Sequence, residues 1–274
     1  RLFITERVGK MEEKVSIKSE LYDIPAILNS PNIGEKYPAI ILCHGTGSFK
    51  DEVGNLFVKL AESLKDRGIA SIRFDFAGCG ESLAKQQDLT FYGEVSDTEK
   101  IYSYLLDYHK IDSTRIGILG FSQGARVMAK FIGKYPEKIR AAVSWSGACH
   151  NGAGVFEGWF EEFYEEAARN GYAQIPMFWR DDLILSKKWF DDIRDSNPMN
   201  SLSKYKGAIL AVSGTEDELV QYIHAKEIAS EKKKKISEYR IIDNANHTFN
   251  ILEKDKAFAD KVIKDTADWI AINI

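Results

Sequence analysis

At 274 residues, 44% hydrophobic and 28% charged, the chain is long enough to bury a sizeable core, as one domain with an insertion or as two domains. A formal charge of −4 gives no electrostatic reason to expect nucleic acid as a partner, and no apolar run approaches the roughly 20 residues that span a bilayer. The three cysteines, Cys43, Cys79 and Cys149, are scattered without metal-ligand spacing, so they read as buried thiols, and neither a disulfide framework nor a zinc site is expected.

The chain opens Arg-Leu-Phe-Ile-Thr-Glu-Arg, with no secretory apolar region. Arg1 stands where an initiator Met would, so upstream sequence is missing; cytoplasm is the expected location, with secretion left open. Residues 14–28 alternate in part around a polar break, which predicts an antiparallel hairpin at one sheet edge, with Pro25 suited to an edge strand. From Ala39 a rhythm begins: strand 39–43, helix 53–66, strand 70–76, helix 94–108, strand 115–119, helix 123–134, strand 141–145. It breaks between His150 and Ser203, then resumes with strand 208–212, helix 220–230, strand 238–242 and helix 254–271. Such alternation predicts an α/β fold with a mostly parallel sheet covered on both faces. The interruption of roughly 50 residues follows the carboxyl end of a strand, where ligand sites of α/β proteins lie, so it is expected to cap the site. The predicted organisation is a core of residues 1–149 and 204–274 with an inserted cap at 150–203. The basic run Lys232, Lys233, Lys234 and Lys235 reads as solvated surface between a helix and a strand.

Residues 116–128, Ile-Gly-Ile-Leu-Gly-Phe-Ser-Gln-Gly-Ala-Arg-Val-Met, carry the strongest chemical signal. An apolar strand ends at Gly120-Phe121-Ser122-Gln123-Gly124 and a helical run follows at once, giving strand, sharp turn and helix. A serine on such a turn has strained backbone angles, so the residues two before and two after it must be small, as Gly120 and Gly124 are. The turn lifts the Ser122 hydroxyl above the sheet and aims a helix N-terminus at it, which makes Ser122 the candidate nucleophile.

A serine needs a base, and there are five histidines: His44, His109, His150, His224 and His247. His109 ends a predicted helix and His224 lies inside one, whereas His247 sits in a polar loop after the last strand, as a base at the carboxyl edge of the sheet should. The orienting acid should lie at a strand end between nucleophile and base. Glu216, Asp217 and Glu218 all qualify, and spacing alone does not separate Asp217 from Glu216. Two N–H donors are needed for the oxyanion: Gln123, next after the nucleophile, and Thr46 in the first βα loop, with His44 shaping that loop. A phosphate-binding turn is a poor alternative, since the chain contains no P-loop motif and no strand is followed by G-x-G-x-x-G.

With these residues in hand the sequence resembles the α/β-hydrolase superfamily over essentially its whole length, and more narrowly the small carboxylesterases that include cinnamoyl (feruloyl) esterases. The narrower resemblance rests on His-Gly-Thr-Gly-Ser-Phe-Lys-Asp-Glu at 44–52, on residues 68–82, and on Thr-Phe-Tyr-Gly-Glu-Val-Ser-Asp at 90–97. It rests also on the Ser122 motif, Gly-Thr-Glu-Asp at 214–217 and His-Thr-Phe at 247–249. The resemblance implies a mostly parallel eight-stranded sheet, Ser122 as nucleophile, Asp217 as orienting acid, His247 as base, and Thr46 and Gln123 as oxyanion donors. It departs from the family pattern at Phe121, commonly histidine, at Ala125, commonly glycine, and in lacking a proline after Val220. The implied activity is cleavage of carboxylic esters, aryl or hydroxycinnamoyl among them, without cofactor or metal. Amide or thioester hydrolysis by the same triad and a non-catalytic ligand-binding relative are the alternatives. The expected partner is a small-molecule ester, with no nucleic acid and no membrane, and a homodimer is left open.

Residues 151–200 hold ten of the chain's aromatic residues. Trp159, Phe160, Phe163 and Tyr164 have helical spacing and are expected to form the insertion's own core. Met177-Phe178-Trp179 follows Pro176 as a consecutive run that cannot all face one small core, so Phe178 and Trp179 are expected to line the acyl pocket.

Overall fold

Strand Tyr37–Cys43 (β4) is buried along its whole length because helices cover both of its faces. Ile40 and Leu42 belong to one apolar cluster, and Ala39, Ile41 and Cys43 to another on the opposite face, the period of two that an extended chain imposes. A computed structural model describes residues 7–8, 12–31, 36–230 and 236–274; the Lys232 to Lys235 run lies outside them. In chain order the strands before β4 are Arg7–Val8 (β1), Glu12–Lys18 (β2) and Asp23–Asn29 (β3). After it come Ala70–Phe74 (β5), Ile111–Phe121 (β6), Ala141–Trp145 (β7), Tyr172–Ile175 (β8), Leu183–Ser186 (β9), Ala208–Gly214 (β10) and Ser237–Ile242 (β11).

Eight strands form the expected sheet, and the two-residue β1 adds a ninth at its edge, in the order β1-β2-β3-β5-β4-β6-β7-β10-β11. From β5 to β11 every ladder is parallel, while β1 to β3 are antiparallel. The predicted hairpin is β2 and β3, but β3 is not at the edge, because it also pairs antiparallel with β5. Pro25 is tolerated there because the β5 ladder starts one residue later, at Ala26. Its carbonyl accepts the Asp75 N–H (2.9 Å), and its missing N–H falls where the ladder has not begun.

The helices are Leu56–Lys65 (α1), Phe91–Asp107 (α2), Gln123–Lys134 (α3), Glu157–Asn170 (α4), Lys187–Asp195 (α5), Pro198–Leu202 (α6), Ile223–Ser230 (α7) and Ala257–Asn273 (α8). Helices α1 and α8 cover one face through Leu56, Phe57, Leu60 and Leu64 against Val262, Ile263 and Ile270. Helices α2, α3 and α7 cover the other through Phe91, Ile101, Phe131 and Ile228. Helix α1 begins three residues later than its apolar pattern predicts, because Gly54 (φ 58°) and Asn55 (φ 61°) have left-handed backbone angles. Helix α2 begins three residues earlier, because the Thr90 hydroxyl accepts the Gly93 N–H (3.1 Å) and caps a new first turn.

Between β7 and β10 the chain leaves the alternation and forms α4, the antiparallel pair β8 and β9, α5 and α6. Its aromatic side chains pack together: Phe156 and Phe160 meet Trp189 and Phe190 edge-on, with ring centroids 5.1 Å apart in both pairs. This cluster runs on into that of α2 and α3. Arg126 of α3, fully buried, ties the segment down. Its guanidinium donates to the carbonyls of Ala148 (3.1 Å), His150 (2.5 Å), Gly152 (2.9 Å) and Ile193 (3.4 Å) and to Ser196 Oγ (2.9 Å). Burial lowers the Arg126 pKa to about 10, so the group stays charged at neutral pH, with carbonyl dipoles in place of water. Among the described residues no helix is long and apolar enough to cross a membrane.

Candidate active site

Strand β6 ends at Phe121 and α3 begins at Gln123, so Ser122 alone makes the turn, with φ 53° and ψ −120°. That conformation is strained for a residue with a side chain, at a cost of about 1–3 kcal/mol. Hydrogen bonds hold it in place: the Ser122 N–H donates to Trp145 O (2.9 Å), and the Ser122 carbonyl accepts from Ala148 (3.0 Å) and Ala125 (3.1 Å). The two flanking glycines are required by space. A Cβ on Gly120 would collide with the Gly124 carbonyl, and one on Gly124 would collide with the Cys43 carbonyl at the end of β4.

His247 lies beside this turn, with its imidazole packed on the Phe121 ring at 5.2 Å between centroids. Its Nδ1 faces both oxygens of Asp217, Oδ2 at 2.8 Å and Oδ1 at 3.0 Å. Because a carboxylate only accepts, Nδ1 carries the proton and Nε2 is left with a lone pair. The Asp217 side chain is fully buried, and its Oδ1 also accepts the N–H groups of Leu219 (2.9 Å) and Val220 (2.8 Å). Glu216 and Glu218 are exposed, so of the three consecutive acids only Asp217 meets the histidine. The His247 loop is anchored in turn: Ser146 Oγ donates to the His247 carbonyl (2.8 Å), and Asn246 Oδ1 accepts from the backbone of Thr248 (3.0 Å) and Asn250 (2.9 Å).

The loop after β4 is held from within. His44 is buried, accepts the Phe76 N–H at Nε2 (3.2 Å) and so donates from Nδ1 to the Gly45 carbonyl (2.8 Å); burial lowers its pKa and keeps it neutral. The buried Glu52 carboxylate accepts the Gly45 N–H (2.8 Å) and the Ser48 hydroxyl (2.6 Å). Thr46 and Gln123, the two predicted donors, are linked side chain to side chain. The Thr46 hydroxyl donates to Gln123 Oε1 (2.6 Å), and Gln123 Nε2 donates to Glu94 Oε2 (2.6 Å). Burial, then the charge of neighbouring Asp97, pushes the Glu94 pKa well above the usual carboxylate range. Among the described residues the backbone N–H groups of Thr46 and Gln123 have no hydrogen-bond partner.

Other predicted positions fall elsewhere. His109 lies in the turn after α2 and is exposed. Phe178 is 96% exposed and Trp179 49% exposed, and among the described residues neither stacks on another ring. The residue of this loop that reaches the floor of the site is Arg180, whose guanidinium donates to the Gly47 carbonyl, beside Leu183. Sequence reasoning assigned no role to Arg126 or Arg180, and met Glu52 and Glu94 only as letters of motifs.

The sequence model of the family described as alpha/beta hydrolase fold matches residues 38–178. Among curated proteins, the uncharacterized protein YcjY of Escherichia coli (strain K12) is 31% identical over 91 residues, 33% of this chain and 29% of that protein. Esterase FrsA of Yersinia pestis (strain Pestoides F) is 23% identical over 131 residues, 47% of this chain and 30% of that protein. The chain thus spans less than a third of the length of these relatives. Among solved structures, ferulic acid-bound Est1E from Butyrivibrio proteoclasticus aligns with a TM-score of 0.74 at 21% identity, covering 94% of this chain and 99% of that one. DcsB in complex with its substrate analogue aligns with a TM-score of 0.77 at 14% identity, covering 96% and 99%. At such identities the likeness is one of fold.

Proposed function

Since the chain belongs to the α/β-hydrolase fold family, we propose that it is a serine hydrolase that cleaves carboxylic esters through an acyl-enzyme. The observation that carries this reading is the buried Asp217 carboxylate on His247 Nδ1, next to a strained serine turn. In this mechanism His247 Nε2 takes the Ser122 proton as Oγ attacks the ester carbonyl. The N–H groups of Thr46 and Gln123 receive the charge that develops on the carbonyl oxygen. His247 returns the proton to the leaving alcohol, and water then repeats the attack on the acyl-Ser122.

Residues 150–203 serve as a cap on a core formed by 1–149 and 204–274, and the loop carrying Phe178 and Trp179, held to Gly47 by Arg180, leaves both rings uncovered for an aryl acyl group. The ferulic acid held by Est1E and the esterase name of FrsA support the choice of ester over amide.

The test is a short panel of aryl and alkyl esters with intact-mass detection of the acyl-enzyme. The expected adduct maps to Ser122 and is absent in Ser122→Ala, whose turnover falls on the order of 10⁴-fold or more. An adduct on another residue, or unchanged turnover in the variant, overturns the reading.

A further inference from the structure

Two histidines that the ester mechanism does not use lie face to face. His150 begins the segment between β7 and β10, and His224 is the second residue of α7; their rings stack with centroids 3.5 Å apart and planes at 11°. The His224 side chain is only 2% exposed, and its Nδ1 lies 2.6 Å from Glu227 Oε2, one turn along the helix. Glu227 therefore fixes the tautomer, with Nδ1 protonated and Nε2 bearing a lone pair. His224 Nε2 and His150 Nδ1 are both buried, and among the described residues neither has a hydrogen-bond partner. One donor atom from each of His150, His224 and Glu227 falls within 4.8 Å of the others.

As plain packing this arrangement is costly, since an unpaired buried polar atom has given up its hydrogen bonds to water for nothing in return. It suits a cation better. Two unpartnered imidazole nitrogens beside a carboxylate are a donor set that such an ion can fill. The nearby Arg126 charge opposes a cation, and the Glu227 carboxylate offsets it. Arg126 also fixes the His150 backbone through its carbonyl (2.5 Å).

We propose that His150 Nδ1 and His224 Nε2 ligate one divalent transition-metal ion of the zinc or nickel kind, with Glu227 orienting His224 through its second ring nitrogen. A carboxylate behind a ligating imidazole is a common device for raising its basicity, and imidazole suits these ions. Donor atoms in a tetrahedral site lie about 3.3 Å apart, and an imidazole binds a metal in its own plane, so binding turns the two rings out of their parallel stack by rotation about Cβ–Cγ, with water completing the shell. The bound ion would cross-link the first residue of the segment to α7, the helix that follows the acid loop.

Calorimetric titration of zinc chloride into the full chain, after dialysis against a chelator, tests this together with the melting temperature. One zinc per chain is expected, with a rise in Tm. His150→Gln and His224→Gln should each weaken binding at least about tenfold and remove the rise, with a smaller loss in Glu227→Gln. Ser122→Ala and His247→Gln should bind zinc as the wild type does. Zinc lost in His247→Gln but kept in His150→Gln would place the ion elsewhere and overturn the proposal, as would a wild type that binds none. Should His224→Gln fail to fold, His150→Gln, at a partly exposed position, decides the matter.

Discussion

Both carboxylate oxygens of Asp217 face Nδ1 of His247, at 2.8 and 3.0 Å, while Glu216 and Glu218 on either side point to solvent. Asp217→Asn replaces one accepting oxygen by a donor, so the imidazole is no longer held with its proton on Nδ1. Ester turnover is expected to fall on the order of 10³ to 10⁴-fold, with Glu216→Gln and Glu218→Gln close to wild type. Steady-state kinetics on one aryl ester check this; an equal loss at Glu216 would contradict the assignment.

The chain from Thr46 through Gln123 to Glu94 joins the two proposed oxyanion donors by their side chains. Glu94→Ala frees the Gln123 amide and lets the pair drift, so kcat should fall about 10 to 100-fold while KM moves less than about threefold. Glu94→Gln keeps an accepting oxygen for Gln123 and should stay within about threefold of wild type, since burial already disfavours a charge on this carboxyl. A Gln variant as slow as the Ala variant, at unchanged Tm, would mean that the charge of Glu94 matters.

Burial pushes the Asp97 carboxyl up to about 7, against the opposing pull of the Tyr22 hydroxyl (2.8 Å) and the Ala77 N–H, and its Oδ2 has no hydrogen-bond partner among the described residues. Between about pH 4 and that value the folded protein keeps a proton that the unfolded chain has lost, so this group's contribution to stability falls as pH rises through the window and is flat above it. Asp97→Asn, which can still accept from Tyr22, removes the penalty. Thermal melts should show a larger gain in Tm at about pH 7.5 than at about pH 4.5; a gain independent of pH would count against the ionisation account.

Arg126 donates to five acceptors on the segment it holds. Arg126→Met fills the space but leaves those acceptors unpaired, at a cost on the order of 3 kcal/mol or more. Arg126→Lys should not rescue it, because an ammonium group has three donors at one point instead of a planar fork. Urea unfolding measures the loss, and limited proteolysis should find the first new cuts within residues 150–203.

Much of this was legible because steric demand writes itself into residue type. Gly120 and Gly124 stand where a Cβ would strike backbone, so the serine turn, the bounds of α3 and those of β7 could be read directly. The start of α1 could not, since Gly54 and Asn55 carry apolar neighbours whose spacing is helical while their own backbone angles are not. Asp217 was hidden among three adjacent acids, because only the path of the loop decides which of them turns inward. Glu94 is an acid in the first turn of a helix and Arg126 a charged residue within one, types that do not by themselves signal burial. Their burial depends on what distant segments bring to them, and no local pattern encodes that. Periodicity likewise carries no information on where the Met177-Phe178-Trp179 loop leaves its side chains.

At Gly124 the first turn of α3 rests directly on the carbonyls of Cys43 and His44, with no side chain between them to yield. The serine and the loop carrying Thr46 therefore form one stiff floor whose halves cannot slide apart. On the proposed ester reaction, room for a substrate then has to come from the segment that meets this floor through Arg180 on Gly47 and through Leu183.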